Sequence, residues 1–180
     1  MTTPTVYEWG GGQDALEKLT EVFYAKVLKD DLLGDLFRNI SSEHSKYVAH
    51  FLAEVLGGPK LYTGESKKSH AHMISQHVGR KLDETERKRW VQLFLESADE
   101  IGMPDDVEFR SALVGYLEWG SRMVVRSSQT SENPIDQDTP MPKWDRGKLV
   151  NQINLNRRIL NKNVLVLAIV TSDNRRSQIP

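Results

Sequence analysis

The sequence predicts an all-α fold, and three observations carry the prediction. Apolar residues recur at intervals of three and four from Leu16 to Val124. Helix-capping and helix-ending signals fall between those runs. No period-two alternation precedes residue 160, and there is neither an internal repeat nor a glycine-rich phosphate loop, which removes nucleotide-binding readings.

The spacing of Leu16, Leu19, Val22, Phe23 and Val27 predicts a first long helix from about Gln13 to Lys29, with one core face. Leu32-Leu33-Gly34-Asp35-Leu36 is a short apolar run ending at Phe37. Ser41-Ser42-Glu43 offers a hydroxyl cap to a second helix carrying Tyr47, Val48, Phe51, Leu52, Val55 and Leu56. Gly57-Gly58-Pro59 ends it, because glycine accepts the left-handed C-cap and proline cannot continue a helix. A third segment, with His70, His72, Met73 and His77, is too poor in apolar residues to bury a face without help. Asp83-Glu84-Thr85-Glu86 has capping-box spacing and opens a helix through Trp90, Val91, Phe94, Leu95 and Ile101. Pro104-Asp105-Asp106 starts a last helix through Phe109, Leu113, Tyr116, Leu117 and Val124, which fades into the polar stretch 127–134. The expected organisation is a globular domain over residues 1–127 and a C-terminal extension, flexible or loosely packed, over 128–180.

Composition narrows the chemistry. At 180 residues the chain can bury a core without staples. With 24 Lys and Arg against 25 Asp and Glu, it has no basic field to draw nucleic acid or a membrane surface. The absence of cysteine excludes disulfides, thiol catalysis, thiolate metal sites and covalent haem attachment. The N-terminus lacks the charged and apolar regions of a secretion signal, which points to the cytoplasm. The apolar stretch Val164–Val170 falls well short of the roughly 20 residues of a spanning helix.

Tyr24, Phe37, His44, His77 and Trp90 occur in that order along this run of helices, with Gly10-Gly11-Gly12, Gly57-Gly58-Pro59 before Tyr62, and Tyr116-Leu117-Glu118-Trp119-Gly120 as punctuation. The ordered set, over roughly Val6 to Met123, resembles the group II truncated haemoglobins. The resemblance implies a two-on-two helical sandwich holding haem b. His77, 13 positions before Trp90, would be the proximal metal ligand; a surface histidine on a polar helix is its ordinary alternative.

The resemblance also implies a ligand pocket made by Tyr24, His44 and Trp90. Tyr24 would donate from its phenol to a bound gas, where a core ring is the simpler account. Trp90 would add an indole N–H, which can only donate, or pack the core. His44 would donate, gate the pocket, or bind the iron itself. Phe37 would wedge against the porphyrin, and Val48 would line the same wall or serve the core. Arg80, Lys81 and Tyr62 would reach the propionates or stand as solvated surface groups. His70-Ala71-His72 is no metal pair, since positions two apart on a helix diverge.

The implied function is reversible binding of dioxygen, nitric oxide and carbon monoxide, described as oxygen transport or storage and used in nitric oxide or peroxide detoxification. A nitric oxide dioxygenase or weak peroxidase activity would need an external reductase, because no flavin or nicotinamide site follows in the chain. The state is expected to be monomer or homodimer. Two alternatives stay open: a six-coordinate sensor or electron-transfer protein with His44 and His77 both on iron, and a cofactor-free helical interaction module. The tail contains Pro140-Met141-Pro142-Lys143-Trp144-Asp145, similar to an extension seen in the family.

Overall fold

Side-chain caps open four of the helices among the described residues, two of them where sequence signals stand. The computed structural model describes residues 3–145 and 148–149. Helix α1, Val6–Trp9, is a single turn closed by a reciprocal box: Thr5 Oγ1 accepts from the Glu8 N–H at 3.1 Å, and the Glu8 carboxylate accepts from the Thr5 N–H at 2.8 Å. Helix α2, Gly12–Val27, buries Leu16, Leu19, Phe23, Tyr24 and Val27 on one face, as the three-and-four spacing predicts. Helix α3 is the turn Gly34–Phe37. Of the apolar run before Phe37 only Leu33 enters the core; Leu32 and Leu36 are 42% and 37% exposed.

Helix α4, His44–Val55, begins at Glu43 with no side-chain cap, so the expected hydroxyl cap from Ser41 or Ser42 is corrected: the backbone carbonyl of Ser41 accepts from the His44 N–H at 3.0 Å instead. Gly57 takes a φ of +94°, the left-handed conformation that glycine adopts without strain. Gly58 has a second reason. A Cβ there would lie 2.6 Å from the Tyr7 ring, and the Tyr7 N–H donates to the Leu56 carbonyl at 3.0 Å, so the Gly-Gly-Pro turn also docks α1. A π-helical turn, Leu61–Glu65, follows and is clipped to α4 through Glu54, whose carboxylate accepts from the Thr63 N–H and hydroxyl at 3.0 and 2.8 Å.

Helix α5, His70–Ser75, is capped by Ser69 Oγ. Helix α6, Glu84–Glu100, opens with the capping box read from Asp83 and Glu86, and α7, Val107–Ser128, is capped by Asp106. Helix α2 packs on α4 and α6, and α6 on α7, so two helix pairs lie one against the other in a two-on-two sandwich. Phe23, Phe94 and Phe109 are fully buried at its centre, and each such side chain contributes about 1.5–3 kcal/mol of burial free energy. Arg87, 4% exposed, bridges α6 to α7 through Glu84, Glu118 and Ser121.

Beyond α7, β1, Trp144–Asp145, and β2, Lys148–Leu149, form a two-residue antiparallel ladder that pairs Trp144 with Leu149, too short to show as alternation in the sequence, and the fold is all-α as predicted. The apolar run Val164–Val170 lies outside the described residues. Among the described residues no helix is long and apolar enough to cross a membrane.

Candidate functional site

Tyr24 stands one position after Phe23 on the buried face of α2, and His44 opens α4, the helix that packs on it. The helix pairing brings their side chains together. The Tyr24 hydroxyl and His44 Nε2 are 3.0 Å apart, and their rings meet edge to face. Phe37 joins them, with its ring centroid 5.7 Å from that of Tyr24 and 6.4 Å from that of His44. Val48, one turn along α4, is half-buried against the same core.

Burial drives the Tyr24 phenol well above its ordinary range, so it keeps its proton and stays a donor. Burial, reinforced by the charge of Arg80, pushes His44 down and keeps it neutral. A neutral imidazole with its proton on Nε2 donates to the phenol oxygen and leaves the phenol O–H to point elsewhere. The two residues therefore present one free proton between them. His44 is tied to Tyr24 rather than standing as a separate donor.

His77 follows α5 on a half-buried turn. Its Nδ1–H donates to the Met73 carbonyl at 2.9 Å, which fixes the tautomer and leaves Nε2 as the lone-pair nitrogen; among the described residues Nε2 makes no hydrogen bond. Burial lowers its pKa to about 4, with Arg80 and His44 adding to the fall and the Met73 hydrogen bond opposing it. The charge of Arg80 thus acts on both histidines, and that of His44 on His77. An oriented, neutral imidazole with a carbonyl behind it is the donor chemistry that an iron porphyrin requires of an axial ligand. The residues fit a haem.

Trp90, on α6, stacks on Phe94 at 5.3 Å and meets Phe23 edge-on at 5.1 Å; it is half-buried, and among the described residues its N–H has no partner. Arg80 is exposed and hydrogen-bonded to the Gln76 carbonyl. Lys81 is exposed as well, with its Nζ donating to the Gln129 carbonyl at 3.2 Å. Tyr62 is no solvated group: it is 5% exposed, edge-on to Phe51, and burial pushes its phenol up to about 12. Its contacts place it with Phe51 rather than with Tyr24 and His44. His70 is buried and bonded to the Pro140 carbonyl while His72 is exposed, so the two diverge. A surface cavity of about 410 Å³ lined by Trp9, Asp14, Lys18, Ile101 and Met103 lies apart from all of these residues.

Sequence reasoning named the residues whose side chains meet here, but it missed Met73, because a backbone carbonyl carries no residue-type signal.

Known proteins resemble this chain in sequence and fold. A family model described as bacterial-like globin covers residues 5–118. The chain is similar to a group 1 truncated haemoglobin of Tetrahymena thermophila, 33% identical over 62% of this chain and 88% of that protein. It is also similar to the group 2 truncated haemoglobin YjbI of Bacillus subtilis, 27% identical over 67% and 89%. Among solved structures, the group II truncated haemoglobin of Bacillus anthracis superposes with a TM-score of 0.62 at 24% identity, covering 72% of this chain and 95% of that one. The oxygen-avid truncated haemoglobin of Bacillus subtilis gives 0.59 at 28% identity, covering 68% and 99%.

Proposed function

The chain belongs to the bacterial-like globin family, and on that premise we propose that it is a haem-b protein that reversibly binds dioxygen and other diatomic gases and serves in nitric oxide or peroxide detoxification. One arrangement carries the reading: Tyr24 and His44 are paired at 3.0 Å, and the neutral His77 ring is oriented by the Met73 carbonyl with Nε2 left as the lone-pair nitrogen.

His77 would hold the iron through Nε2, with Phe37 and Val48 against the porphyrin and Arg80 toward its charged edge, while Tyr62 would serve from its buried place against Phe51. Bound there, haem supplies the iron centre at which diatomic gases bind and redox chemistry occurs. The chain's own residues do the rest. His44 donates to Tyr24, Tyr24 turns its proton toward the gas pocket, and Trp90 offers a second N–H. In a dry pocket each such hydrogen bond must break before a polarised ligand departs, so the donors slow release. Slow release suits chemistry on the held gas more than delivery. Combining nitric oxide with dioxygen to nitrate consumes one electron, which an external reductase would return.

The six-coordinate alternative requires His44 Nε2 to abandon the Tyr24 hydroxyl, so the observed pairing favours an open pocket. The reading is tested by stopped-flow dioxygen release and by nitrate formed from nitric oxide with the dioxygen-loaded protein. Slow release with stoichiometric nitrate supports it; rapid release with no nitrate sends the protein back to simple gas carriage.

A further inference from the structure

Helix α5 is six residues long, far below the length at which an isolated helix is stable. Of its apolar side chains, Ala71 and Ile74, 0% and 1% exposed, belong to a separate small cluster completed by Met123 of α7 and by Ile135, and Met73 packs against both this cluster and the main core. Ile135 comes from the stretch that follows α7, beyond the residues matched by the globin family model. That stretch crosses α5 and is fixed to it twice. Asn133 Nδ2 donates to the Ala71 carbonyl at 2.8 Å, and His70 Nδ1 donates to the Pro140 carbonyl at 3.2 Å. Its far end is anchored on α7, where Trp144 is 7% exposed, donates from Nε1 to the Ala112 carbonyl at 3.0 Å, and packs against Tyr116 and Trp119.

The other side of His77 is latched as well. The Lys81 N–H donates to the Ser128 carbonyl at 3.1 Å and the Leu82 N–H to Ser128 Oγ at 3.0 Å, while Gln129 Nε2 donates to the Leu82 carbonyl at 2.8 Å. His77 therefore hangs between two attachments, and its upstream one depends on the strap. The mechanical line is short. Asn133 and His70 hold α5, α5 holds the Met73 carbonyl, and that carbonyl holds the His77 ring through Nδ1.

We propose that the segment Asn133–Trp144 is a strap that sets the position and the basicity of the proximal histidine, with His70 and Asn133 as positioning residues. The inference rests on His77 being the axial ligand. A carbonyl bonded to the outer nitrogen of a ligating histidine fixes its orientation and strengthens it as a donor, so a strap that moves Met73 alters the iron–histidine bond without touching haem. Tail and proximal site then form one mechanical unit: whatever pulls on the tail is felt at the iron.

The test uses the full chain reconstituted with haemin. Resonance Raman spectra of the dithionite-reduced protein read the iron–histidine stretch, and transfer of ferric haem to apomyoglobin reads retention. Asn133→Leu and His70→Leu are expected to lower the stretching frequency and to speed haem loss roughly tenfold. His70→Gln, which keeps a donor, stays near the parent protein. If the leucine variants do not fold, Asn133→Ser, too short to reach Ala71, replaces them with the same expectation. Val6→Ala, a core truncation on α1, controls for general destabilisation and leaves the stretch unmoved. Strap variants that melt earlier yet keep the parent frequency and loss rate would overturn the strap while leaving the haem reading intact. A parent protein that takes up no haemin would overturn the haem reading and the strap with it, and an iron–histidine band that survives His77→Ala would overturn His77 as the axial ligand, and so the strap, while leaving haem binding intact.

Discussion

The two sides of the site are built differently. Tyr24, His44, Val48 and Trp90 sit on helices of 16, 12 and 17 residues, of which α2 packs directly on the other two, and their positions follow from that packing. His77 follows a six-residue helix whose buried face is completed by a segment more than fifty positions downstream. The distal side is held by local regularity, the proximal side by distant contacts. A side held by thick helices resists single changes, whereas one held by two hydrogen bonds and a small cluster does not.

The largest effect tests the proximal side at its centre. His77→Ala removes the proposed axial donor, and we expect stable haem retention to be abolished, measured as the absorbance of haem carried through gel filtration. Normal retention would mean that another residue holds the iron.

Acid comes next and strikes the same side. Burial lowers His70 from 6.5 to about 4 in the folded protein, with the Pro140 carbonyl opposing the fall. The folded state therefore favours the neutral ring and the unfolded chain binds the proton more readily. Stability from this group is complete above about pH 6.5 and is lost as the pH falls through about 4, a swing of about 3 kcal/mol. Thermal unfolding from pH 7.5 to 4.5 should show that slope together with the contributions of the other buried histidines, His77 and His44, and His70→Gln should reduce it by the His70 share. An equal slope in both proteins would assign the acid sensitivity elsewhere.

On the distal side, Tyr24→Phe should keep haem and quicken dioxygen release roughly ten- to a hundredfold, the loss of one hydrogen bond in a dry pocket. Unchanged release removes Tyr24 from the donor set. The smallest effects belong to the supporting groups. His44→Leu and Trp90→Phe should each quicken release only about three- to tenfold, because His44 acts through Tyr24. A His44 effect undiminished in the Tyr24→Phe background would show independent action, and a double-mutant cycle reads that directly.

The same contrast decides what could be read from residues alone. Tyr24 was legible because Leu16, Leu19, Phe23 and Val27 state the face of α2, and α6 was legible because Asp83 and Glu86 state its start. The shortage of apolar residues around His70–His77 was legible too, but not what makes it good: Ile135, the Asn133 amide and the Pro140 carbonyl have no spacing relation to α5. Thr5 and Glu8 do carry the spacing of a capping box, yet the apolar run behind them is too short to announce a helix. The pairing of Tyr24 with His44 spans twenty positions and two helices, and only packing discloses it.

The most direct test of the central claim is the visible absorption spectrum of the haemin-reconstituted protein, recorded ferric, dithionite-reduced and with carbon monoxide. The account predicts stoichiometric uptake, an open five-coordinate ferrous form, and a sharp Soret band that shifts on adding the gas. Failure to bind haem, or a low-spin six-coordinate ferrous spectrum before any gas is added, would contradict it.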